Sequence, residues 1–384
     1  MHACSSGVAN FVKSVEGRTT FLVPQSSLIA KVPPKTPAFF NPAAKLNRDL
    51  SVLAYKALAP SLPAKTFADS FTGIGARALR VAVEVPEIEQ VYGNDINSIA
   101  IEVARESAII NSANNKCHFS IEEVCKFLLH GDREGERFGI VDLDPFGTPA
   151  KYVDCVLRAV LDDGLVSITA TDTAVLCGIY PEVCLRRYYG RPLNNSYCNE
   201  TAIRLLLSLL ALTASRLELA IKPIFVHATM HYLRVYATIT VSSSEANDVY
   251  RSIGYVMHCF QCGHRFKAAE YRIVKCELCG ALMQTGGQLW TGSFHDGEFV
   301  KKMLGYDADK QCKKVLDAAA FEASDIPYYF RADEISAKLK TNPQSLQKII
   351  ERLQSTGFVA SKAVLNTGAF KTDARIDQIL NVLK

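Results

Sequence analysis

The sequence predicts an α/β fold: a doubly wound, mostly parallel sheet of seven strands, followed by a C-terminal α+β region. Strand-like and helix-like segments alternate from about residue 65 to residue 241. Apolar residues recur at helical spacing in the segments between strands, as between Ile99 and Ile109. The last two strand-like segments are joined by only a few residues, so they should pair antiparallel. Alternation of this kind predicts a parallel sheet covered by helices on both faces.

The seven strands are expected at residues 66–69, 90–94, 117–121, 139–143, 164–169, 223–227 and 233–241. A doubly wound sheet that ends in an antiparallel hairpin is the outline of a class I (Rossmann-like) methyltransferase. The tail, residues 331–384, has the pattern of a helix, a turn, a second helix and a hairpin. This pattern resembles a winged helix.

A chain of 384 residues is long enough for two or three domains. We expect an N-terminal segment over residues 1–60 that contributes to the cofactor and base site described below. A catalytic domain should follow over residues 61–250, and a C-terminal region over residues 251–384. The proline-rich stretch at residues 31–37 marks an exposed connector within the first segment.

The charge distribution favours a polyanionic partner. The net charge is only +4, but residues 331–384 hold nine Lys/Arg against five Asp/Glu, an excess equal to that of the whole chain. The first seven residues have no secretory pattern, and the apolar stretch at residues 205–212 is too short to span a membrane. The twelve cysteines suggest thiols and metal ligands in a reducing compartment. We therefore expect a cytoplasmic, monomeric protein.

A candidate cofactor site lies where the first strands end. Residues 69–77 begin at Asp69 and form a strand end, a glycine-bearing turn that includes Gly75, and a helix start. Asp95 follows Gly75 by twenty residues and ends the second strand, where an acid can accept hydrogen bonds from both ribose hydroxyls. NAD and S-adenosylmethionine both fit this geometry, but the absence of a spaced G-x-G-x-x-G favours the methyl donor. Glu123 and Val124, just past the third strand, are candidates to contact an adenine.

Residues 141–147 (Val-Asp-Leu-Asp-Pro-Phe-Gly) end the fourth strand beside the cofactor edge. The exocyclic amine of a base is a poor nucleophile, because its lone pair is delocalised into the ring. The carboxylate of Asp144 and the carbonyl of Pro145 can each accept one N–H bond from such an amine and orient its lone pair. Phe146 can stack on the base, which is worth roughly 1–3 kcal/mol. These residue types predict methyl transfer to an exocyclic amine, aided mainly by orientation.

At this point the sequence resembles a known family, the tRNA (guanine-26-N2)-dimethyltransferases, and in particular its compact archaeal members. The resemblance covers most of the chain and rests on residues 39–42 (Phe-Phe-Asn-Pro), 47–49 (Asn-Arg-Asp), 75–80, 95, 142–147 and 170–173 (Ala-Thr-Asp-Thr). It implies methylation of N2 of guanine 26, once and then twice, and a tRNA partner.

The resemblance also implies roles for individual residues. Arg48 and Arg77 would contact S-adenosylmethionine together with Asp95, and Glu123 and Val124 would lie at its adenine. Arg48 could pair with the methionine carboxylate in a bidentate bond. Asp144 would hold the guanine amine, with the base between the rings of Phe39 and Phe146. The chain departs from the family in two places: Glu123 stands where Asp is usual, and residues 72–74 (Thr-Gly-Ile) replace Ser-Ala-Ser.

Four cysteines predict a metal site in a module at residues 255–290. Cys259, Cys262, Cys276 and Cys279 form the pattern C-x2-C-x13-C-x2-C, and a glycine follows each pair. This spacing is typical of tetrahedral Cys4 zinc, and four protein ligands leave no open position, so the site should be structural. The module and the winged-helix-like tail together would bind tRNA.

Three alternatives remain open from the sequence. An adenine-N6 or protein-amide methyltransferase usually carries Asn/Asp-Pro-Pro-Tyr/Phe, and Phe146 in the third position disfavours it. A catalytically silent zinc and winged-helix RNA-binding protein would not need the intact Asp95 and Asp144. An NAD-dependent oxidoreductase lacks an obvious acid/base partner for hydride transfer.

Overall fold

The computed structural model describes residues 10–129, 137–229, 232–322 and 325–384. The first seven residues, from which we expect no secretory leader, lie outside these ranges. So does part of the short connection between the last two predicted strands. No helix in the described ranges combines the length and the apolar composition needed to cross a membrane.

The strands, in chain order, are β1 (Phe11–Glu16), β2 (Thr19–Pro24), β3 (Thr66–Asp69), β4 (Gln90–Asn94), β5 (Cys117–Ser120), β6 (Phe138–Leu143), β7 (Val160–Ala170), β8 (Leu219–Thr229), β9 (Tyr232–Val241), β10 (Ile253–His258), β11 (Arg265–Ala268), β12 (Gln284–Trp290), β13 (Phe330–Arg331), β14 (Ala360–Lys362) and β15 (Ala369–Thr372).

The α-helices, in chain order, are α1 (Gln25–Ile29), α2 (Lys45–Leu58), α3 (Ala76–Glu84), α4 (Ser98–Ile110), α5 (Val124–Leu129), α6 (Val153–Ala159), α7 (Thr173–Leu176), α8 (Pro181–Tyr188), α9 (Cys198–Arg216), α10 (Ser243–Arg251), α11 (Gly297–Leu304), α12 (Lys310–Phe321), α13 (Ala332–Leu339), α14 (Leu346–Ser355) and α15 (Ile376–Leu383). Short 3-10 turns occupy Pro42–Ala44, Ala59–Ser61 and Ala150–Tyr152.

The predicted doubly wound sheet is confirmed. Seven strands follow the order β5-β4-β3-β6-β7-β9-β8. Neighbours from β5 to β7 pair parallel, whereas β8 and β9 pair antiparallel, as the short connection predicts. All six residues of β6 are buried, which is typical of a central strand covered on both faces. Strands β7 and β8 are longer than expected, eleven residues each.

The register of the sheet brings acidic residues to one edge. β3 lies between β4 and β6, and Asp69 at the end of β3 is in register with Asp142 of β6. Parallel strands end at a common edge, where α/β proteins bind their ligands. The sheet therefore positions Asp69, Asp95 and Asp142 at the carboxyl ends of three consecutive strands.

The chain divides into two compact units, and their boundaries differ from those of the segments expected from sequence. Unit 1 comprises residues 1–145, 152–168 and 302–313, and unit 2 comprises residues 146–151, 169–301 and 314–384. The tail over residues 331–384 thus belongs to the same unit as the cysteine module.

The first described strands of unit 1 form a hairpin that the sequence analysis did not predict. β1 and β2 pair antiparallel around a turn at Gly17, whose φ is +57°. A Cβ at this glycine would lie 2.5 Å from an oxygen of Glu84, so the turn requires glycine. Glu84 also accepts a bond from Thr19 Oγ1 at 2.9 Å and pairs with Arg80 at 2.8 Å. Because these groups are buried, the hairpin is fixed to α3 by charged hydrogen bonds.

The tail has the elements of a winged helix. β13, β15 and β14 form a three-stranded antiparallel sheet against α13, α14 and α15. Ile349, Leu353, Phe370 and Ile379 lie in its apolar core. Lys371 of β15 is fully buried and its Nζ lies 3.3 Å from Glu200 of α9, so a buried ion pair joins this tail to the rest of unit 2.

The cysteines depart from expectation at one pair. Cys125 and Cys155, both in unit 1, form a disulfide, whereas the sequence analysis expects thiols and metal ligands. Cys177, Cys184 and Cys198 are free thiols and at least partly buried.

Candidate functional site

Arg77 joins two acidic residues at the end of β6. Its Nη1 donates to Asp142 at 2.8 Å, and its Nη2 lies 2.8 Å from a carboxylate oxygen of Asp144. Arg77 is buried, whereas the side chain of Asp144 remains partly exposed. The guanidinium therefore fixes the orientation of a carboxylate that a ligand can still reach.

Asp142 is held in place by further hydrogen bonds. It is fully buried, and it accepts hydrogen bonds from Tyr55 Oη and, at 2.9 Å, from Ser167 Oγ. Asn47 Oδ1 accepts from Arg77 Nη2 at 3.3 Å. Sequence reasoning did not identify Tyr55 and Ser167, because a tyrosine in a helix and a serine in a strand carry no local signal. Asn47 stands in the Asn-Arg-Asp motif, which is the signal that could have found it.

Asp69 is a third carboxylate of this cluster. Burial raises its pKa to about 7, and the negative charge of Asp142 acts in the same direction. The Arg77 charge and a hydrogen bond from Thr72 Oγ1 at 3.1 Å oppose the rise. The three acids thus share one guanidinium, which compensates the negative charge of Asp69 only in part.

Asp95 holds the glycine-bearing turn. Its Oδ2 accepts from the Gly73 N–H and its Oδ1 from the Asn97 N–H, both at 2.9 Å. These backbone bonds orient the carboxylate and leave each oxygen with capacity for another donor. Gly75 has a φ of +80°, and a Cβ there would lie 3.0 Å from that of Ala104 in α4. Gly75 thus serves the turn and the packing of α3 on α4.

Glu123 and Val124 lie at the start of α5. Glu123 Oε2 accepts from the N–H groups of Cys125 and Lys126, at 2.8 and 3.1 Å, so this side chain caps the helix. Val124 is buried. The predicted contact of both residues with an adenine remains a prediction.

Arg48 is occupied by protein groups. It forms a bidentate pair with Glu16, at 2.6 and 2.7 Å, and it donates to the carbonyl of Asn41 at 3.0 Å. Its guanidinium also lies 5.0 Å from the ring centre of Phe40. Arg48 therefore holds the segment that carries Phe39. The predicted contact of Arg48 with a cofactor carboxylate is untested, and a cofactor would have to share this guanidinium with Glu16.

The residues after Asp144 change from buried to exposed. Pro145 is buried, whereas the side chain of Phe146 is 62% exposed. Gly147 has a φ of +81°, and the space that a Cβ would occupy there is open. The chain thus presents one aromatic ring directly after the fixed carboxylate.

The four cysteines of the predicted metal site converge. The sulfur atoms of Cys259 and Cys279 are 3.4 Å apart, those of Cys262 and Cys276 are 3.5 Å apart, and all four lie within 4.8 Å of one another. Four sulfurs around zinc, each about 2.3 Å from the metal, would be roughly 3.8 Å apart. The donor set and its spacing therefore fit zinc.

Comparison with known proteins agrees with this geometry. Residues 17–384 match the family described as N2,N2-dimethylguanosine tRNA methyltransferase. The tRNA (guanine(26)-N(2))-dimethyltransferase of Methanothermobacter thermautotrophicus is 35% identical over 379 residues, which cover 96% of this chain and 97% of the relative.

Two further relatives bear on substrate and cofactor. The tRNA (guanine(26)-N(2)/guanine(27)-N(2))-dimethyltransferase of Aquifex aeolicus is 34% identical over 310 residues, 78% of each chain. The structure of Trm1 from Pyrococcus horikoshii in complex with S-adenosyl-L-methionine is similar with a TM-score of 0.83 and 25% identity, covering 97% of this chain and 99% of that one.

Asp69→Asn is expected to flatten the pH dependence of stability. Because the folded-state pKa of Asp69 is raised, the stability contributed by its protonated form is complete below the ordinary value of 3.8 and is lost as the pH rises through about 7. The amide does not ionise, so urea unfolding at pH 5 and pH 7.5 should give a smaller difference for the variant than for the wild type. Asp154→Asn, at a surface position, is the control. Equal pH slopes for wild type and Asp69→Asn would contradict the assignment.

Proposed function

This chain belongs to the N2,N2-dimethylguanosine tRNA methyltransferase family, and from that premise we propose that it methylates N2 of guanine 26 in tRNA. S-adenosylmethionine supplies the methyl group as an electrophile when it is bound. The observation that carries the proposal is the carboxylate of Asp144, fixed by Arg77 and followed by Pro145 and an exposed Phe146.

In the proposed mechanism, Asp144 and Pro145 act on the amine. The carboxylate of Asp144 and the carbonyl of Pro145 each accept one N–H bond, which turns the lone pair of N2 toward the methyl group. Because Arg77 holds Asp144 at 2.8 Å, the acceptor is oriented before the base arrives. Phe146 stacks on the base on one side, and Phe39 is assigned to the other. S-Adenosylmethionine would supply the methyl carbon, which bonds to N2 as its bond to sulfur breaks, and the carboxylate of Asp144 would take the proton that N2 loses.

The cofactor is assigned to the turn at residues 69–77 and to the residues that follow β4 and β5. Asp95, oriented by two backbone N–H groups, would accept from the ribose hydroxyls. Asp69 and Arg77 would face the methionine part, and Glu123 and Val124 the adenine. The buried Ser70 hydroxyl in the turn has no hydrogen-bond partner among the described residues, which supports a ligand at this turn.

The proposal is tested by incubating the protein with radiolabelled S-adenosylmethionine and unmodified tRNA, followed by digestion and identification of the labelled nucleosides. We expect N2-methylguanosine and then N2,N2-dimethylguanosine. A tRNA with adenine at position 26 is the matched control and should lose the label. Label that persists in the control as methylated guanine would extend the activity to guanine 27, as in the name of the Aquifex relative. Labelled N6-methyladenosine, or no label in any nucleoside, would refute the proposal.

Asp144→Ala should lower methyl transfer by at least about a hundredfold, because the fixed acceptor for the amine is removed. Binding of S-adenosylmethionine, followed by isothermal titration calorimetry, should change by less than about threefold. Asp154→Ala, at an exposed carboxylate, is the control and should leave both quantities unchanged. Loss of cofactor binding in Asp144→Ala would instead move this residue into the cofactor site.

We propose that the four cysteines hold a structural zinc ion. Cys259, Cys262, Cys276 and Cys279 would supply all four ligands. The N–H groups of Gly263 and Gly280 donate to the carbonyls of Cys259 and Cys276, each at 2.8 Å, so the two halves fold as the same turn. The ion would join two loops of the module that share only a small apolar cluster.

Cys279→Ser is expected to abolish stoichiometric zinc. Native mass spectrometry or atomic emission should find one zinc per wild-type chain and much less in the variant, and the variant should melt at a lower temperature. Cys177→Ser, which replaces a free cysteine outside the cluster, should keep the metal. Purified wild-type protein without zinc, and with an unchanged melting temperature after chelation, would contradict the assignment.

The winged-helix-like tail is proposed to contact the tRNA backbone together with the cysteine module. Lys340 and Lys348 lie exposed in this tail. Changing both to alanine should weaken tRNA binding and reduce the slope of log affinity against log salt by about one to two. Lys310→Ala with Lys313→Ala, at exposed positions of α12, is the charge-matched control. An unchanged slope in the tail variant would make the tail a structural element only.

We further propose that the enzyme acts as a monomer in the cytoplasm. Asp144, Pro145 and Phe146 are consecutive residues of one chain, so the proposed acceptors and one stacking ring need no second subunit. The tRNA substrate supports the cytoplasmic location. Sedimentation equilibrium of the purified protein at the concentration of the assay measures the oligomeric state.

A further inference from the structure

The Ala-Thr-Asp-Thr motif at residues 170–173 has no role in the proposed mechanism. It follows the end of β7, and in the structure its polar groups bond to the loop that presents Phe146. We call residues 146–148 the catalytic loop, since they directly follow Asp144 and Pro145. Residues 146–148 and 170–188 all belong to unit 2.

Thr171 forms a reciprocal pair of bonds with the catalytic loop. The N–H of Gly147 donates to Thr171 Oγ1 at 2.7 Å, and the N–H of Thr171 donates to the carbonyl of Gly147 at 2.9 Å. Both backbone groups of Gly147 are thereby satisfied by one residue. Phe146 is attached directly to this glycine, so the position of its backbone follows that of Thr171.

Asp172 and Tyr188 hold the other end of the loop. Tyr188 Oη donates to Asp172 Oδ1 at 2.6 Å and lies 2.8 Å from Thr148 Oγ1. Arg187 pairs with the second oxygen of Asp172 at 3.1 Å. Tyr188 is fully buried at the end of α8, and burial together with the Asp172 charge raises the pKa of its hydroxyl. The hydroxyl therefore stays protonated and keeps a proton to donate.

The catalytic loop needs such bonds because its own conformation is weakly determined. It contains no helix or strand. Its central residue, Gly147, has a φ of +81°, and glycine has more backbone freedom than any other residue type. Phe146, which precedes this glycine, is 62% exposed. A ring that must lie flat on a base loses its effect when its backbone shifts by an ångström.

We propose that Thr171, Asp172 and Tyr188 are positioning residues that fix the catalytic loop so that Phe146 can stack on the target base. This inference rests on the proposed function. It assigns Thr171 and Asp172, the middle two residues of the Ala-Thr-Asp-Thr motif, to the base and not to the cofactor. Its effect should therefore appear in the kinetics of tRNA and be absent from the binding of S-adenosylmethionine.

Thr171→Val and Thr171→Ser form the first test. Valine has the shape of threonine but lacks the acceptor for the Gly147 N–H, whereas serine retains it. We expect Thr171→Val to lower kcat/KM for tRNA by about tenfold to a hundredfold and Thr171→Ser to restore most of the loss. The affinity for S-adenosylmethionine and the melting temperature should stay at the wild-type values in both. Because Thr171 is exposed, the fold tolerates either change.

Tyr188→Phe is the second variant, with Tyr328→Phe as its matched control. Both changes remove one hydroxyl from a buried tyrosine of unit 2, but the Tyr328 hydroxyl has no hydrogen-bond partner within the described ranges. Only Tyr188→Phe should lower kcat/KM for tRNA, and again without a change in cofactor affinity.

A second background separates positioning from direct contact. In a chain that already carries Phe146→Ala, neither Thr171→Val nor Tyr188→Phe should cause a further loss, because the ring that they position is gone. Losses that multiply with that of Phe146→Ala would mean that these residues act on the substrate or the fold directly, and would overturn the inference.

The outcomes also separate this inference from the proposed function. Wild-type protein that fails to label guanine in tRNA refutes the proposed function itself. Wild-type protein that methylates guanine, combined with wild-type rates for Thr171→Val and Tyr188→Phe, leaves the proposed function intact and refutes the positioning role. Weakened cofactor binding in either variant also refutes it.

Discussion

The guanidinium of Arg77 is the constraint on which the site depends. It lies between Asp142 and Asp144, at 2.8 Å from each. Asp142 belongs to β6, and Asp144 directly follows the end of this strand. Residues two apart in an extended chain point to the same face, so Asp142 in β6 and Asp144 just after its end can both reach one cation. Arg77 then fixes the second carboxylate relative to the buried first one. In the proposed mechanism, a substrate amine would therefore meet an acceptor that is already oriented.

Several buried polar side chains around β6 hold that cation in place. Tyr55 from α2 and Ser167 from β7 saturate Asp142, and Asn47 accepts from Arg77. Three segments far apart in sequence, α2, α3 and β7, therefore converge on Asp142 through Tyr55, Arg77 and Ser167. Arg48, one residue after Asn47, does comparable work for the segment at residues 39–42, since it donates to the carbonyl of Asn41. The Asn-Arg-Asp motif thus contacts both Arg77 and the segment that carries Phe39.

The sequence predicts the doubly wound sheet and the cysteine cluster because both depend on local patterns. The sheet follows from the alternation of strand-like and helix-like segments, and the cluster follows from the spacing of its cysteines. The hairpin of β1 and β2 was not predicted, although half of its strand residues are apolar, because the contacts that fix it join residues distant in sequence, such as the buried ion pair of Glu16 with Arg48. The disulfide between Cys125 and Cys155 was not predicted either, because the spacing of these two cysteines matches no known sequence pattern. Residue types locate Asp144 and Phe146, but the loop contacts of Thr171 and Tyr188 require the fold.

The charge balance of the cluster gives a physical reason for a cationic cofactor. Asp69, Asp142 and Asp144 share one arginine, and the pKa of Asp69 rises to about 7 because burial and the neighbouring carboxylate disfavour its charge. A third acid that is only partly ionised at neutral pH is costly in a purely structural role. The sulfonium and ammonium groups of S-adenosylmethionine are positive, so their arrival would favour the charged form of Asp69. A pyrophosphate group would oppose it, so this cluster of acids disfavours a dinucleotide.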